Sequence, residues 1–172
     1  MKTRTLVTFT FILLLCVPSH GQNSANARSS MAGLQGVMVQ VERLDPEVED
    51  KGITPFVLTA QIESRLKDSG IPVLDSGSAR AAPGYPTLYV AVNALVDEYS
   101  DRCTWSVRLD FMQFVRMERN PETNAIMAST WSVGGVGFVP KEWRKAIVDD
   151  VLYYTDQFVE AFAAANPDGI EP

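Results

Sequence analysis

Residues 104–119 constrain the fold of this chain most strongly, because their apolar and polar side chains alternate. The apolar positions are Trp105, Val107, Leu109, Phe111, Val115 and Met117, and the polar ones are Ser106, Arg108, Asp110, Arg116 and Glu118. Strict alternation over this length predicts a long β-strand with one buried face and one face toward solvent. The chain contains no comparably clear pattern of catalytic residues.

The first 21 residues have the composition of a secretory signal peptide. Lys2 and Arg4 precede an apolar run at residues 6–17, and Ser19 and Gly21 supply small residues for cleavage, which we place after Gly21. A run of this length is too short to span about 30 Å of hydrocarbon, which disfavours a membrane anchor. We therefore expect a periplasmic or secreted protein with no stable membrane insertion after the signal is removed.

Lipidation of Cys16 is a further alternative for this segment. Lipidation usually requires a small residue before the cysteine, and Leu15 is not small. We therefore favour the cleaved signal peptide.

Removal of the leader changes the charge and the chemistry of the chain. It leaves 13 basic and 21 acidic residues, a formal charge of −8, which disfavours binding to nucleic acid and to anionic membranes. His20 and Cys16 are lost with the leader, so that Cys103 remains as the one cysteine and no histidine remains. Histidine-dependent mechanisms and an intrachain disulfide are therefore excluded, and we expect no metal site and no cofactor.

The amino-terminal half of the remaining chain predicts a βαβ-like unit. Residues 22–33 are small and polar and predict a flexible tether, and residues 34–44 predict the first strand. Residues 45–52 form an acidic stretch without the ligand order of a calcium loop, so we predict a solvated loop.

A helix then begins with unusually complete signals. Thr54 is a good N-cap, Pro55 suits the first helical position, and Ile53 and Leu58 are spaced for a hydrophobic staple. Gly70 ends this helix, and residues 71–74 predict a short strand.

The carboxy-terminal half predicts three further strands and a long helix. Residues 87–98 and 125–133 alternate as strands on either side of the central one, and residues 75–86 predict a loop. Glycines 134, 135 and 137 lack the Lys-Ser/Thr of a phosphate loop, so we interpret them as a flexible strand end. Residues 141–165 carry apolar side chains at helical spacing.

These elements together predict an α+β fold. We expect one domain at residues 34–167, with a four- or five-stranded, mainly antiparallel sheet, both helices on one face, and a frayed tail at residues 168–172. In the central hairpin we expect paired residue numbers to sum to 242. This register sets Phe111 opposite Trp131, Trp105 opposite Gly137 and Gln113 opposite Ser129.

Four stretches carry a resemblance to a known family. They are VMVQVERL (37–44), GITPFVLTAQIESRLKDSGIPVL (52–74), STWSVGGVGFV (129–139) and DQFVEAFAAANP (156–167). The first two resemble the opening βαβ of the amino-terminal domain of TolB and of the curli-channel lipoproteins, and the last two resemble uncharacterised exported bacterial proteins. The resemblance implies an α+β envelope module with an assembly or interaction role, and it implies no catalytic residues.

The face of the central strand that the helices leave uncovered supplies the candidate binding residues. Its even-numbered positions carry Arg108, Asp110, Met112, Phe114 and Arg116, and the preceding strand adds Tyr89, Ala91, Asn93 and Leu95. Arginine, methionine and aromatic residues are enriched at protein interfaces, so we predict a site for an envelope partner or for self-association. The predicted site residues are Tyr89, Arg108, Met112 and Phe114. The alternative is that the loop at residues 75–86 folds over them.

The sequence favours a non-enzymatic role in protein interaction or envelope assembly. One alternative is a carboxylate-dependent hydrolase that uses Asp97, Glu98 and Asp101 near a strand end, although these residues also suit an ordinary turn. The other alternative is a carrier that holds a small apolar ligand between the sheet and the helices.

Overall fold

The chain folds into one mixed sheet with helices, as a computed structural model that describes residues 23–97, 99–100, 102–139 and 142–169. The elements in chain order are α1 (Ala25–Ser29), β1 (Met38–Val41), α2 (Pro46–Glu49), α3 (Pro55–Asp68), α4 (Ser76–Ala81), β2 (Thr87–Asp97), β3 (Arg102–Val115), β4 (Ile126–Val139) and α5 (Trp143–Ala165). The sheet order is β1-β2-β3-β4, with β1 parallel to β2 and the other pairs antiparallel. The predicted α+β class is confirmed. The predicted signal peptide lies outside the described residues.

The two long helices cover the same face of the sheet. Odd-numbered side chains of β3 such as Leu109 and Phe111 share one buried core with Ile62 of α3 and Phe158 of α5. The helices also contact each other, since a guanidinium nitrogen (Nη1) of Arg65 in α3 lies 2.9 Å from a carboxylate oxygen of Asp156 in α5. The alternation therefore predicted correctly which side of β3 is buried, but the strand ends at Val115, and Met117, predicted for the buried face, is 40% exposed.

Helix α3 begins and ends where its sequence signals predict. The Thr54 hydroxyl accepts a hydrogen bond from the Val57 N–H at 3.2 Å, and Pro55 is the first helical residue. Ile53 and Leu58, the predicted staple pair, are both buried. Gly70 follows the helix with a φ of +76°, a conformation that glycine adopts without strain.

The predicted strand at residues 71–74 is reduced to a single bridge. Val73 pairs in parallel with Val37, whose N–H donates to the Pro72 carbonyl at 3.0 Å. Pro72 has no N–H to donate, which limits the length of a ladder at this position. The opening unit is therefore a strand, a helix and a one-residue bridge, with β2 as the parallel neighbour of β1.

The predicted tether at residues 22–33 is wrong for its described part. Ser24 caps α1 by accepting a hydrogen bond from the Ala27 N–H at 3.2 Å, and Met31 is fully buried. The Asn166 side chain holds the end of this segment, because its Oδ1 accepts from the Gly33 N–H at 2.8 Å and its Nδ2 donates to the Met31 carbonyl at 3.0 Å.

Two predicted loops also contain short helices. Asp45 caps α2 within the acidic stretch, and Asp75 caps α4 within residues 75–86. Aspartate is among the most effective N-caps because its carboxylate accepts from the unpaired N–H groups of the first turn.

The predicted register of the central hairpin holds over most of its length. From Cys103 opposite Val139 to Phe111 opposite Trp131, paired numbers sum to 242 as expected. A bulge then shifts the pairing, so that Gln113 lies opposite Ala128 and not opposite Ser129. Thr130 is the extra residue.

The glycine-rich stretch is a strand interior and not a flexible strand end. Strand β4 continues to Val139, and a Cβ added at Gly137 would overlap the Trp105 indole. A Cβ added at Gly135 would overlap the Tyr154 hydroxyl. The missing side chains allow Trp105 and Tyr154 to pack against the β4 backbone.

Candidate functional site

The predicted site lies on the side of the sheet opposite α3 and α5, which we call the open face. It consists of the even-numbered residues of β2 and β3 and their neighbours on β1 and β4. Tyr89 lies directly opposite Asp110, and Ala91 lies directly opposite Arg108. Met112 lies opposite Thr87 in the next row. The structure thus places Tyr89, Arg108, Met112 and Phe114 on one face, along two neighbouring strands.

A polar cluster occupies the middle of the open face. Arg108 Nε lies 2.8 Å from Asp110 Oδ2, and the Ser129 hydroxyl donates to Asp110 Oδ1 at 3.0 Å. The Asp110 side chain is 9% exposed, whereas that of Arg108 is 65% exposed. The carboxylate is therefore held by its neighbours, and most of the Arg108 side chain stays in contact with solvent.

Tyr89 extends this cluster toward β1. Burial raises the pKa of the Tyr89 hydroxyl, and its hydrogen bond to the Glu42 carboxylate raises the pKa further. Tyr89 is consequently neutral at physiological pH, and its hydroxyl donates a hydrogen bond to the Glu42 carboxylate. The central part of the open face is a fixed polar network with an aromatic ring in it.

Phe114 and Met112 form an apolar end of the open face beside this network. Phe114 is 48% exposed, and Met112 is half-buried. The loop at residues 75–86 covers this end in part, because the Phe114 N–H donates to the Gly84 carbonyl at 2.7 Å and the Tyr85 ring lies 6.1 Å from the Phe114 ring. A depression of about 470 Å³ remains between Arg80, Tyr85 and Phe114.

A second apolar group lies at the other end of the open face, and the sequence had assigned only its member Leu95 to this face. Leu95, Val136 and Phe138 are 80%, 78% and 59% exposed. Thr104 of β3 pairs with Leu95 of β2 on one side and with Phe138 of β4 on the other, so these residues form one row across the three strands. The sequence signal was present, since Val136 and Phe138 alternate with glycines at period two, on the face opposite to Trp131 and Val133, but the prediction ended that strand at residue 133.

A shallow depression of about 560 Å³ separates the second apolar group from the polar cluster. Its lining includes the small residues Ala91, Ser106, Ser132 and Gly134. Arg108 and Val136 border it. Small side chains on three adjacent strands therefore produce a concave region on an otherwise exposed sheet.

Of the carboxylates considered for catalysis, the structure describes Asp97, which stabilises a turn. The Asp97 carboxylate accepts hydrogen bonds from the Ser100 hydroxyl and, at 3.0 Å, from the Tyr99 N–H. These bonds, led by that of the Ser100 side chain, lower the pKa of Asp97. A general acid needs a raised pKa, so this aspartate suits the turn better than acid catalysis. Glu98 and Asp101 lie outside the described residues.

The part of the chain that the structure describes lacks the features of a metal site and of a membrane-spanning helix. In that part, no three His, Cys, Asp or Glu side chains are placed to hold a metal ion. None of its helices combines the length and the apolar character that a membrane crossing requires.

Comparison with known proteins gives no relative from which a function could be transferred. The chain matches no protein-family model and no curated protein sequence. The chemistry of the open face is therefore the basis for proposing a function.

Proposed function

We propose that this protein is an exported, non-enzymatic module that binds another protein of the bacterial envelope through the open face. The observation that carries the proposal is the composition of one continuous surface. Phe114 and Met112 lie beside Tyr89 and the exposed Arg108, and these residue types are enriched at protein interfaces. The apolar leader sequence and the resemblance to TolB-type modules support a periplasmic or secreted location.

The physical roles within this surface divide between anchoring and specificity. Burial of the Phe114 ring and the Met112 side chain against a partner would supply hydrophobic free energy, of the order of 25 cal/mol per Å² of apolar surface. Arg108 would pair with a partner carboxylate or stack on an aromatic ring, since its Nε is already oriented by Asp110. The partner surface is therefore expected to combine an apolar centre with an acidic or aromatic group.

Capture from the native envelope tests the proposal. The purified chain is expected to capture a defined partner, and a variant with both Met112→Ser and Phe114→Ser is expected to lose at least about 90% of that partner, which corresponds to a tenfold or larger change in affinity. The unfolding midpoint should stay nearly unchanged, because both side chains lie on the open face.

A matched control separates this effect from a general loss of apolar surface. Phe56 is 82% exposed on α3, away from the open face, and Phe56→Ser should capture the partner as well as the native chain does. Equal capture by the double variant would contradict the proposal. A large drop in its unfolding midpoint would show that Met112 and Phe114 belong to the core.

A further inference from the structure

The outer edge of β4 is unusually unprotected for the last strand of a sheet. Its 14 residues contain no charged residue and no proline. Edge strands of monomeric proteins usually carry charges, prolines or bulges that prevent pairing with another chain. The single such device here is the bulge at Thr130.

The N-terminal segment covers only one end of this edge. The Ser30 hydroxyl donates to Thr130 Oγ1 at 3.0 Å, and the Trp131 indole N–H donates to Asn23 Oδ1 at 3.0 Å. Beyond Trp131, no strand of the described chain pairs with the outer side of β4. Residues 132–139 therefore present an open edge about 27 Å long.

We propose that a second copy of this chain pairs with this edge in antiparallel orientation, with the two-fold axis at Val136. In this register Val136 faces Val136 of the other copy, and Phe138 of each copy lies opposite Gly134 of the other. The axis is perpendicular to the sheet, so both open faces lie on the same side of one eight-stranded sheet. The inference concerns a different surface from Met112 and Phe114 and does not depend on the proposed envelope partner.

The choice of register follows from the shape of the open face. Gly134 borders the 560 Å³ depression, and no side chain at this position fills the space in front of Phe138 from the other copy. The phenyl ring, 59% exposed in the single chain, would cover the glycine and enter this depression. The edge, the exposed ring and the cavity are thus complementary within one sequence.

Self-complementarity favours a second copy as the occupant, because the exposed Phe138 ring and the depression bordered by Gly134 lie along the same edge. The chain is acidic, but this register brings no charged residue of β4 into contact with another. Pairing of one eight-residue edge is expected to bury less than the about 800 Å² per partner of a standard interface, so the dimer should be weak and depend on concentration.

Cysteine cross-linking tests the register directly. Under mild oxidation Val136→Cys is expected to form a disulfide-linked dimer in most of the protein, because each cysteine lies opposite itself. Leu95→Cys is the matched control, since Leu95 is equally exposed on the same face but lies two strands from the edge. Leu95→Cys and the native chain, whose Cys103 is buried, should remain largely monomeric on a non-reducing gel. Equal cross-linking of both variants, or none for Val136→Cys, would overturn the proposal.

Sedimentation measures the association itself. The native chain should sediment as a dimer at high micromolar concentration, Val136→Lys should sediment as a monomer, and Leu95→Lys should remain a dimer. The variant with Met112→Ser and Phe114→Ser should also remain a dimer, so that failure of the envelope-partner proposal is distinguishable from failure of this one. A monomeric native chain, or a Val136→Lys chain that still forms the dimer, would refute the inference. Val136→Lys should keep the native circular dichroism spectrum because Val136 is 78% exposed.

Discussion

Gly137 shows how one residue determines the packing at the end of the sheet. It lies opposite Trp105, whose indole N–H donates to Asp150 Oδ2 at 2.7 Å. This hydrogen bond to α5 fixes the ring over the glycine, so the indole cannot move aside without losing its partner. Because Gly137 has no side chain, the Trp105 ring can pack directly against the β4 backbone.

Replacing this glycine tests the contact. Gly137→Ala should lower the free energy of unfolding by about 1–3 kcal/mol, the usual cost of overpacking, measured by urea denaturation. Gly77→Ala in α4 is the control, because a Cβ there meets only the Asp75 side chain at 3.2 Å and alanine favours helix. A neutral or stabilising Gly137→Ala would show that the indole is free to move.

At the scale of elements, the segment around α1 is part of the core. Met31 is fully buried, and Gln113 Nε2 donates to the Ser30 carbonyl at 3.2 Å and to Thr130 Oγ1 at 2.9 Å. These contacts connect the amino-terminal segment to the bulged end of the central hairpin.

Truncation of Met31 distinguishes a packed segment from a tether. Met31→Ala should cost about 2–5 kcal/mol of unfolding free energy, the range for a buried methionine. Asn26→Ala, at an exposed position of α1 in the same segment, should cost less than about 0.5 kcal/mol. If both changes were neutral in urea denaturation, the segment would not contribute to the core.

The sequence predicted those elements whose signals are local. Period-two alternation placed β2 and β3, and the Thr54 cap and Gly70 placed α3. The bulge at Thr130 was not predictable from the hairpin alone, because Thr130 accepts a hydrogen bond from Ser30, a hundred positions earlier in the chain. Met31 was missed because a single apolar residue in a polar stretch has no periodicity.

The same distinction applies to the candidate site. Alternation correctly assigned Tyr89, Arg108, Met112 and Phe114 to one face, because side-chain direction in a strand follows parity. It did not predict the depression beside Gly134, which arises from small residues on three strands that the register aligns. That alignment is a property of the folded sheet.

At the scale of the whole molecule, one face of the sheet is the buried core and the other is the open face that we propose as a binding surface. The odd-numbered side chains of β3 pack under both long helices, and the even-numbered ones lie on the open face. Phe111 and Phe114 represent the two faces on one strand, with exposed fractions of 0% and 48%.

Urea unfolding of Phe111→Ala and Phe114→Ala compares the two faces with the same chemical change. Phe111→Ala should lose about 3–5 kcal/mol of unfolding free energy, since it leaves a cavity in the core. Phe114→Ala should lose less than about 1 kcal/mol, because its ring contacts Tyr85 and solvent. Similar losses for the two variants would contradict the account, since they would show that the open face is a second core.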